Sequence, residues 1–246
     1  MKHKVIRSKM KKGSPLMADP IISRYVPKTD WLRASSLKKM LRLYPTVYIK
    51  PDIGRKGDGV VRVKKLSSST CEISYKDKTI RCSSQHLVKH LRHILDRNKR
   101  YLVQQGIQLA TYHGRPFDLR VVLHRPRNRW HLTWASAKVA PRKNSVVTNV
   151  AKGAKDMSMN KAWKGLDQPL SRLKVMTTLI DVSYQIAQIL GSRFPFKILG
   201  LDMAIDKKGR IWFIEANTQP DPSNFAELDP KRFRKYRKIE KLTERG

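Results

Sequence analysis

Residues 198–220 read ILGLDMAIDKKGRIWFIEANTQP. Two apolar runs flank Asp206-Lys207-Lys208-Gly209, whose Asp and Gly tolerate the backbone angles of a tight reversal. The pattern predicts a β-hairpin with strands near 199–205 and 210–217. Pairing Ile205 with Arg210 sets Asp202 opposite Phe213. Alternation then puts Asp202, Glu215 and Asn217 on one face, and Leu201, Met203, Ile205, Trp212 and Ile214 on the other, apolar face. Asp202 and Glu215 become diagonal neighbours, roughly 7–8 Å apart at the backbone. Carboxylates so placed repel by about 2 kcal/mol at an effective dielectric near ~20. A divalent cation between them reverses the sign. Mg²⁺ takes one or two carboxylates together with phosphate oxygens and water, and Asn217 offers a further oxygen. A solvated polar face is the alternative, and the hairpin alone leaves both open.

The chain has 246 residues with 40% hydrophobic content, enough for one large domain or two small lobes with a core. Lys and Arg number 53 against 19 Asp and Glu, a net charge of +34. Such a balance implies polyanionic company. Part of it lies in residues 2–12 and 231–245, read as a flexible basic arm (1–20) and a basic C-terminal tail (229–246). No apolar run approaches a membrane span. The basic N-terminus is followed by no apolar segment, so it is not a secretory signal, and a cytoplasmic location is expected. Cys71 and Cys82 are too few for a disulfide framework and are expected reduced, in adjacent strands but not opposite each other.

Residues 46–65 (TVYIKPDIGRKGDGVVRVKK) place Lys50 at a strand end before Gly54, Gly57 and Gly59, with Lys56 among them. Glycines let backbone amides approach an anion, although the spacing matches neither the Walker nor the dinucleotide pattern and a plain turn remains open. Ser84 is expected to cap a helix with Leu87, Leu91, Ile94 and Leu95 on its core face. His86, His90 and His93 fall on a solvated side without the further ligands of a zinc site. The strand at 101–103 leads into Gln104-Gln105-Gly106-Ile107. In 117–124 (FDLRVVLH), Asp118 and Arg120 share one face, and Leu119, Val121 and Leu123 the other. A returning strand carries Lys138, and a loop, SVVTNVAKGAK, carries Asn149. A long helix at 170–190 has its stripe at Leu173, Met176, Leu179, Ile180, Ile186, Ala187 and Leu190, and Gly191 stops it.

Taken in this order, the segments YIKPDIGRKGDGVVRV, VQQGIQL, PFDLRVVLHR, SVVTNVAKGA and GLDMAIDKKGRIWFIEANTQPD resemble the ATP-grasp ligases of the endospore-coat-associated YheC/YheD type. The resemblance implies an α+β fold in which two lobes, 21–105 and 106–228, grip ATP between them, with little or no N-terminal domain before them. It implies nucleotide contacts from Lys50, the loop with Gly54, Lys56, Gly57 and Gly59, a hinge of Gln104, Gln105 and Ile107, and Asp118 orienting Arg120. Arg120 and Lys138 face the γ-phosphate, with Asn149 beside them, and Lys138 stands where the pattern has arginine. Asp202, Glu215 and Asn217 hold Mg²⁺, or Mn²⁺ in its place. The activity implied is ligation of a carboxylate to an amine through an acyl-phosphate, on substrates of unknown identity, in a protein of the forming spore coat. Such chemistry needs charge neutralisation and alignment, not a protein nucleophile. Two other readings stay open: a protein that binds nucleic acid or another polyanion through its basic tails, and a nucleotide-binding pseudoenzyme of the coat.

Overall fold

The computed structural model describes residues 3–146, 148 and 153–245. In chain order its elements begin with α1 (Lys9–Ala18), β1 (Thr29–Trp31), α2 (Ala34–Leu43), β2 (Thr46–Pro51), β3 (Val61–Lys65), β4 (Thr70–Tyr75), β5 (Lys78–Ser83), α3 (Leu87–Ile94) and β6 (Tyr101–Gln105). There follow β7 (Thr111–Tyr112), β8 (Arg115–His124), β9 (His131–Val139), β10 (Lys155–Ser158), α4 (Met159–Lys164), α5 (Arg172–Arg193), β11 (Ile198–Ile205), β12 (Ile211–Asn217), α6 (Phe225–Leu228) and α7 (Pro230–Arg245). They form two compact units. One is Pro27–Ile107; the other joins the segment up to Val26 to everything from Gln108 onward.

The Pro27–Ile107 unit is a six-stranded sheet in the order β1-β6-β2-β3-β4-β5, with antiparallel neighbours throughout. Strict alternation in TVYIKP buries Val47 and Ile49 on one face. There they meet Val61, Val63, Ile73 and Val103, covered by Leu37 and Met40 of α2 and Leu87 and Leu91 of α3. Cys71 and Cys82 are register partners, against expectation, because the β4–β5 turn closes tightly with Tyr75 opposite Lys78. Both are free thiols. The chain enters α3 through His86, with no side-chain cap from Ser84, whose hydroxyl bonds the Ser68 carbonyl.

The second unit is an antiparallel sheet in the order β10-β9-β8-β11-β12, with β7 on β8. Leu119, Val121, Leu123, Leu201, Met203 and Ile205 pack on one face against Leu179, Ile186 and Leu190 of α5. The hydroxyl of Ser171 caps α5 by accepting from the Lys174 amide. The helix runs past Gly191 to Arg193, and its buried stripe includes Val175 and Val182. Leu173 and Ile180, expected in that stripe, are exposed.

The 198–220 hairpin forms, with a different register. Ile205 pairs with Ile211 because Arg210 belongs to the turn, where the amide of Asp206 bonds the Arg210 carbonyl. A bulge between Asp202 and Met203 then brings Asp202 directly opposite Glu215 and Gly200 opposite Asn217. The core face of β12 therefore carries Ile211, Phe213 and Ala216 in place of Trp212 and Ile214. Trp212 instead donates its indole N–H to Asp206 Oδ2 at 2.9 Å.

The arm expected to be flexible (1–20) carries the helix α1, and the expected basic C-terminal tail (229–246) forms α7. In α1, Leu16 is fully buried in the core and the Lys12 ammonium bonds the Ile6 carbonyl at 3.0 Å. In α7, Tyr236 is fully buried. Leu16 and Met17 seat α1, and Phe233 and Tyr236 seat α7, each among lysines and arginines.

Candidate functional site

The polar face of each sheet gathers the residues singled out in the sequence. In the Pro27–Ile107 unit, Thr29, Gln104, Tyr48, Arg62, Ser74 and Thr79 are successive register partners in one row across all six strands. Lys50 stands on this face, two residues beyond Tyr48. Its ammonium donates to Gln104 Oε1 at 2.6 Å, and Gln104 donates to Thr29 Oγ1 at 3.0 Å. Arg62 donates to Ser74 Oγ at 3.0 Å. Burial pushes the Tyr48 phenol up, against the pull of the Arg62 guanidinium.

Thr29, Tyr48, Arg62 and Ser74 are members of this row that sequence reasoning passed over. The signal was present in the alternation of 46–51 once β2 was known to be central. Gln105 turns the other way and accepts from the Lys28 amide at 3.1 Å, while Gly106 donates to the Thr46 carbonyl at 2.9 Å. Ile107 closes the unit. In the glycine-rich loop, Lys56, Gly57 and Gly59 have φ of 55°, 72° and 73°. Left-handed backbone of this kind turns successive amides toward one side, and only glycine takes it without cost. Gly54 lies within the same loop, over Pro51.

In the second unit, register places four charged residues on three adjacent strands. Asp118 is opposite Lys138, and Arg120 is opposite Asp202. The Lys138 ammonium sits 3.0 Å from Asp118 and 2.9 Å from Asp202, and Arg120 Nε is 3.1 Å from Asp202. The Lys138 side chain is only 6% exposed. Thr148 donates its hydroxyl to Asp118 Oδ2. Asp118 therefore positions Lys138, and Asp202 holds Arg120, whereas the sequence pattern had Asp118 orienting Arg120. The correction is geometric: Asp118 and Arg120 are neighbours along one strand, while Lys138 lies directly across from Asp118.

Burial pushes the Asp118 carboxyl up to about 6; Lys138 opposes that and Asp202 adds to it. Burial alone would lower Lys138, but the Asp118 and Asp202 carboxylates outweigh it and hold the ammonium above its ordinary range. The lysine is thus kept charged at neutral pH by its two acids.

Glu215, opposite Asp202, pairs with Lys9 of α1 at 3.5 Å, a partner the sequence did not suggest. The Asn217 side-chain oxygen accepts from the Gln219 amide at 2.9 Å. Among the described residues, no three His, Cys, Asp or Glu gather as a metal cage. Two carboxylates directly across a strand pair, with an amide oxygen two residues on, are still the donor set that fits a divalent cation arriving with phosphate oxygens. Lys9, Arg120 and Lys138 neutralise those carboxylates in this structure. Asn149 lies outside the described residues.

The family model described as YheC/D-like ATP-grasp matches residues 2–242. The chain is 25% identical over 226 residues to the endospore coat-associated protein YheD of Bacillus subtilis (strain 168), covering 86% of this chain and 48% of that protein. It thus spans about half the length of that curated relative. The fold is similar to that of the VanG D-Ala:D-Ser ligase from Enterococcus faecalis, with TM-score 0.59 at 13% identity over 96% of this chain and 61% of the other. It is also similar to ATP-grasp ligase PsnB, whose structure holds a precursor variant, Mg and ADP, with TM-score 0.55 at 12% identity over 96% of this chain and 59% of the other.

Proposed function

Because the chain belongs to the YheC/D-like ATP-grasp family, we propose that it is an ATP- and Mg²⁺-dependent ligase that joins a carboxylate to an amine. The observation that carries this reading is Lys138 held between Asp118 and Asp202, with Arg120 beside it. A buried lysine and a partly exposed arginine on a rigid sheet suit a transferring phosphoryl group, whose charge must be neutralised without reorganisation. One Lys138 N–H donor goes to Asp202, and the Asp118 carboxylate 3.0 Å away holds the ammonium in charge contact.

In this reading a substrate carboxylate oxygen attacks the γ-phosphorus of ATP, ADP leaves, and an acyl-phosphate forms. An amine then attacks the acyl carbon and expels phosphate, giving the amide. Lys50, Gln104 and the amides around Lys56, Gly57 and Gly59 bind the nucleotide; Arg120 and Lys138 hold the phosphoryl oxygens. Asp202, Glu215 and Asn217 are the residues that would hold Mg²⁺, which supplies charge neutralisation of the phosphates when bound. The substrates, and the coat location that the name of YheD carries, belong to this proposal.

The test is thermal unfolding with and without Mg²⁺–ATP, beside an ADP-release screen of carboxylate and amine pairs. ATP should raise the Tm, since a ligand that binds only the folded chain stabilises it. Lys50→Met should lose most of that shift and keep the unliganded Tm. Equal shifts in the two proteins would remove Lys50 from the nucleotide site.

A further inference from the structure

The proposed reaction uses few of the 53 Lys and Arg, and one element concentrates what is left over. Helix α7 carries eight Lys or Arg against two Glu. Its inner face is fixed by aromatic packing. Tyr236 is fully buried, stacks with Phe233, and meets His124 and Phe225 edge-on. Thr243 is buried two turns further on and donates its hydroxyl to the Ile239 carbonyl.

At 100° per residue, Lys231, Arg234, Lys238, Lys241 and Arg245 all fall within about 40° of the direction opposite Tyr236. All five are exposed. They form an unbroken basic stripe about 21 Å long at 1.5 Å per residue. Of the two acids, Glu240 lies on the packed side and is taken up by Arg237 and the Tyr236 hydroxyl. The β8–β9 connection, in contact with α7, adds exposed Arg127 and Arg129.

We infer that the outer face of α7 is a docking surface for double-stranded nucleic acid, read through its phosphates. A duplex strand presents one phosphate per about 3.4 Å, so the stripe spans about six of them. The chemistry favours a duplex over other polyanionic partners. The aromatic residues of α7, Phe233 and Tyr236, face inward, so the helix offers no stacking platform for unpaired bases. Leu242 is the one large apolar side chain exposed on it, too little to insert into a lipid surface. The stripe offers only ammonium and guanidinium groups, with no Asn, Gln or acid to read adenine or cytosine edges, so its contacts are expected at phosphates and binding largely independent of sequence.

The experiment is fluorescence anisotropy of the full chain with a labelled 24-base-pair mixed-sequence DNA duplex at 50, 100 and 200 mM NaCl. The stripe variant is K231Q/R234Q/K238Q/K241Q/R245Q. Glutamine keeps helix propensity, and circular dichroism checks that α7 survives. The control, K38Q/K39Q/R42Q/K89Q/R92Q, removes five exposed charges from α2 and α3.

The stripe variant should bind at least tenfold more weakly at 100 mM NaCl. Its log K against log[salt] slope should flatten by about 3–4, near 0.9 per lost phosphate contact. The control should change affinity less than threefold. Equal losses in the two variants would overturn the inference in favour of diffuse charge. So would tighter binding to the single strand than to the duplex, or retention on phosphatidylglycerol vesicles with none on duplex at the same salt. Because the assay contains no ATP, its failure leaves the ligase reading untouched.

Discussion

Replacing Lys138 with methionine keeps an unbranched side chain one atom shorter and removes the cation that two acids share. Its ammonium lies 3.0 Å from Asp118 and 2.9 Å from Asp202. At that distance each attraction is on the order of 5 kcal/mol at an effective dielectric of about 20, and desolvation offsets much of it. Breaking a buried pair by deleting one partner costs about 3–5 kcal/mol, because the remaining charge stays buried without compensation. Arg120 still serves Asp202, so the penalty falls mainly on Asp118.

The sign of the pH dependence follows. The Asp118 carboxyl in the folded chain is already raised to about 6 by burial, above about 3.9 in an unfolded chain. The folded state therefore gains relative stability as pH falls through that window. Without Lys138 the carboxyl rises further and the gain is larger. Urea unfolding followed by circular dichroism should show K138M losing about 3–5 kcal/mol at pH 7.5 and a visibly smaller gap at pH 5. Adding D118N to K138M should restore a large part of the loss at pH 7.5. A K138M protein within about 1 kcal/mol of wild type, a gap that widens at pH 5, or no recovery with D118N would each refute the reasoning.

Glu215→Gln should leave the unliganded Tm nearly unchanged, because the partly exposed, 3.5 Å Lys9 pair is worth at most about 1 kcal/mol, while the Mg²⁺–ATP shift is lost; a wild-type shift would remove Glu215 from the metal site. Burial holds the His124 imidazole down at about 4, and its Nε2 is buried with no hydrogen-bond partner among the described residues. Against about 6.5 unfolded, stability should fall as pH drops from 6.5 toward 4, by about 2 kcal/mol at pH 5. His124→Asn should lose that slope, and parallel pH profiles for the two proteins in urea titrations would reject it.

The two-sheet α+β architecture was legible because strands with one buried face alternate and turns announce themselves, as in TVYIKP and Asp206-Lys207-Lys208-Gly209. Asp118, Arg120, Lys138, Asp202 and Glu215 were likewise legible as polar positions in otherwise apolar strands. What each one touches was not, since partners across strands depend on register. One bulge between Asp202 and Met203 replaced Phe213 with Glu215 opposite Asp202. The helices α1 and α7 were hidden for another reason. Basic composition hid them: residues 1–20 read as a flexible arm and 229–246 only as a basic tail, while Leu16 buries in α1 and the Phe233/Tyr236 spacing of α7 carries its inner face. Lys9, which pairs with Glu215, was lost along with α1.

The acids and the aromatic anchor share one side of the second sheet. Along β8, alternation sends Asp118, Arg120, Val122 and His124 to the same face. The first two belong to the charged cluster, and the last two lie beneath Tyr236, Phe225 and Trp134. The boundary between these halves is Gly200, register partner of Val122 and of Asn217. A Cβ there would stand 2.7 Å from Pro220 Cβ and 2.9 Å from Arg120 Nη1, so only glycine lets the chain after β12 close against the arginine. Gly200 thus leaves room for both Pro220 and the Arg120 guanidinium that pairs with Asp202. Tyr236, packed on His124, Phe225 and Phe233, is what seats the basic C-terminal tail as the fixed helix α7 on this face.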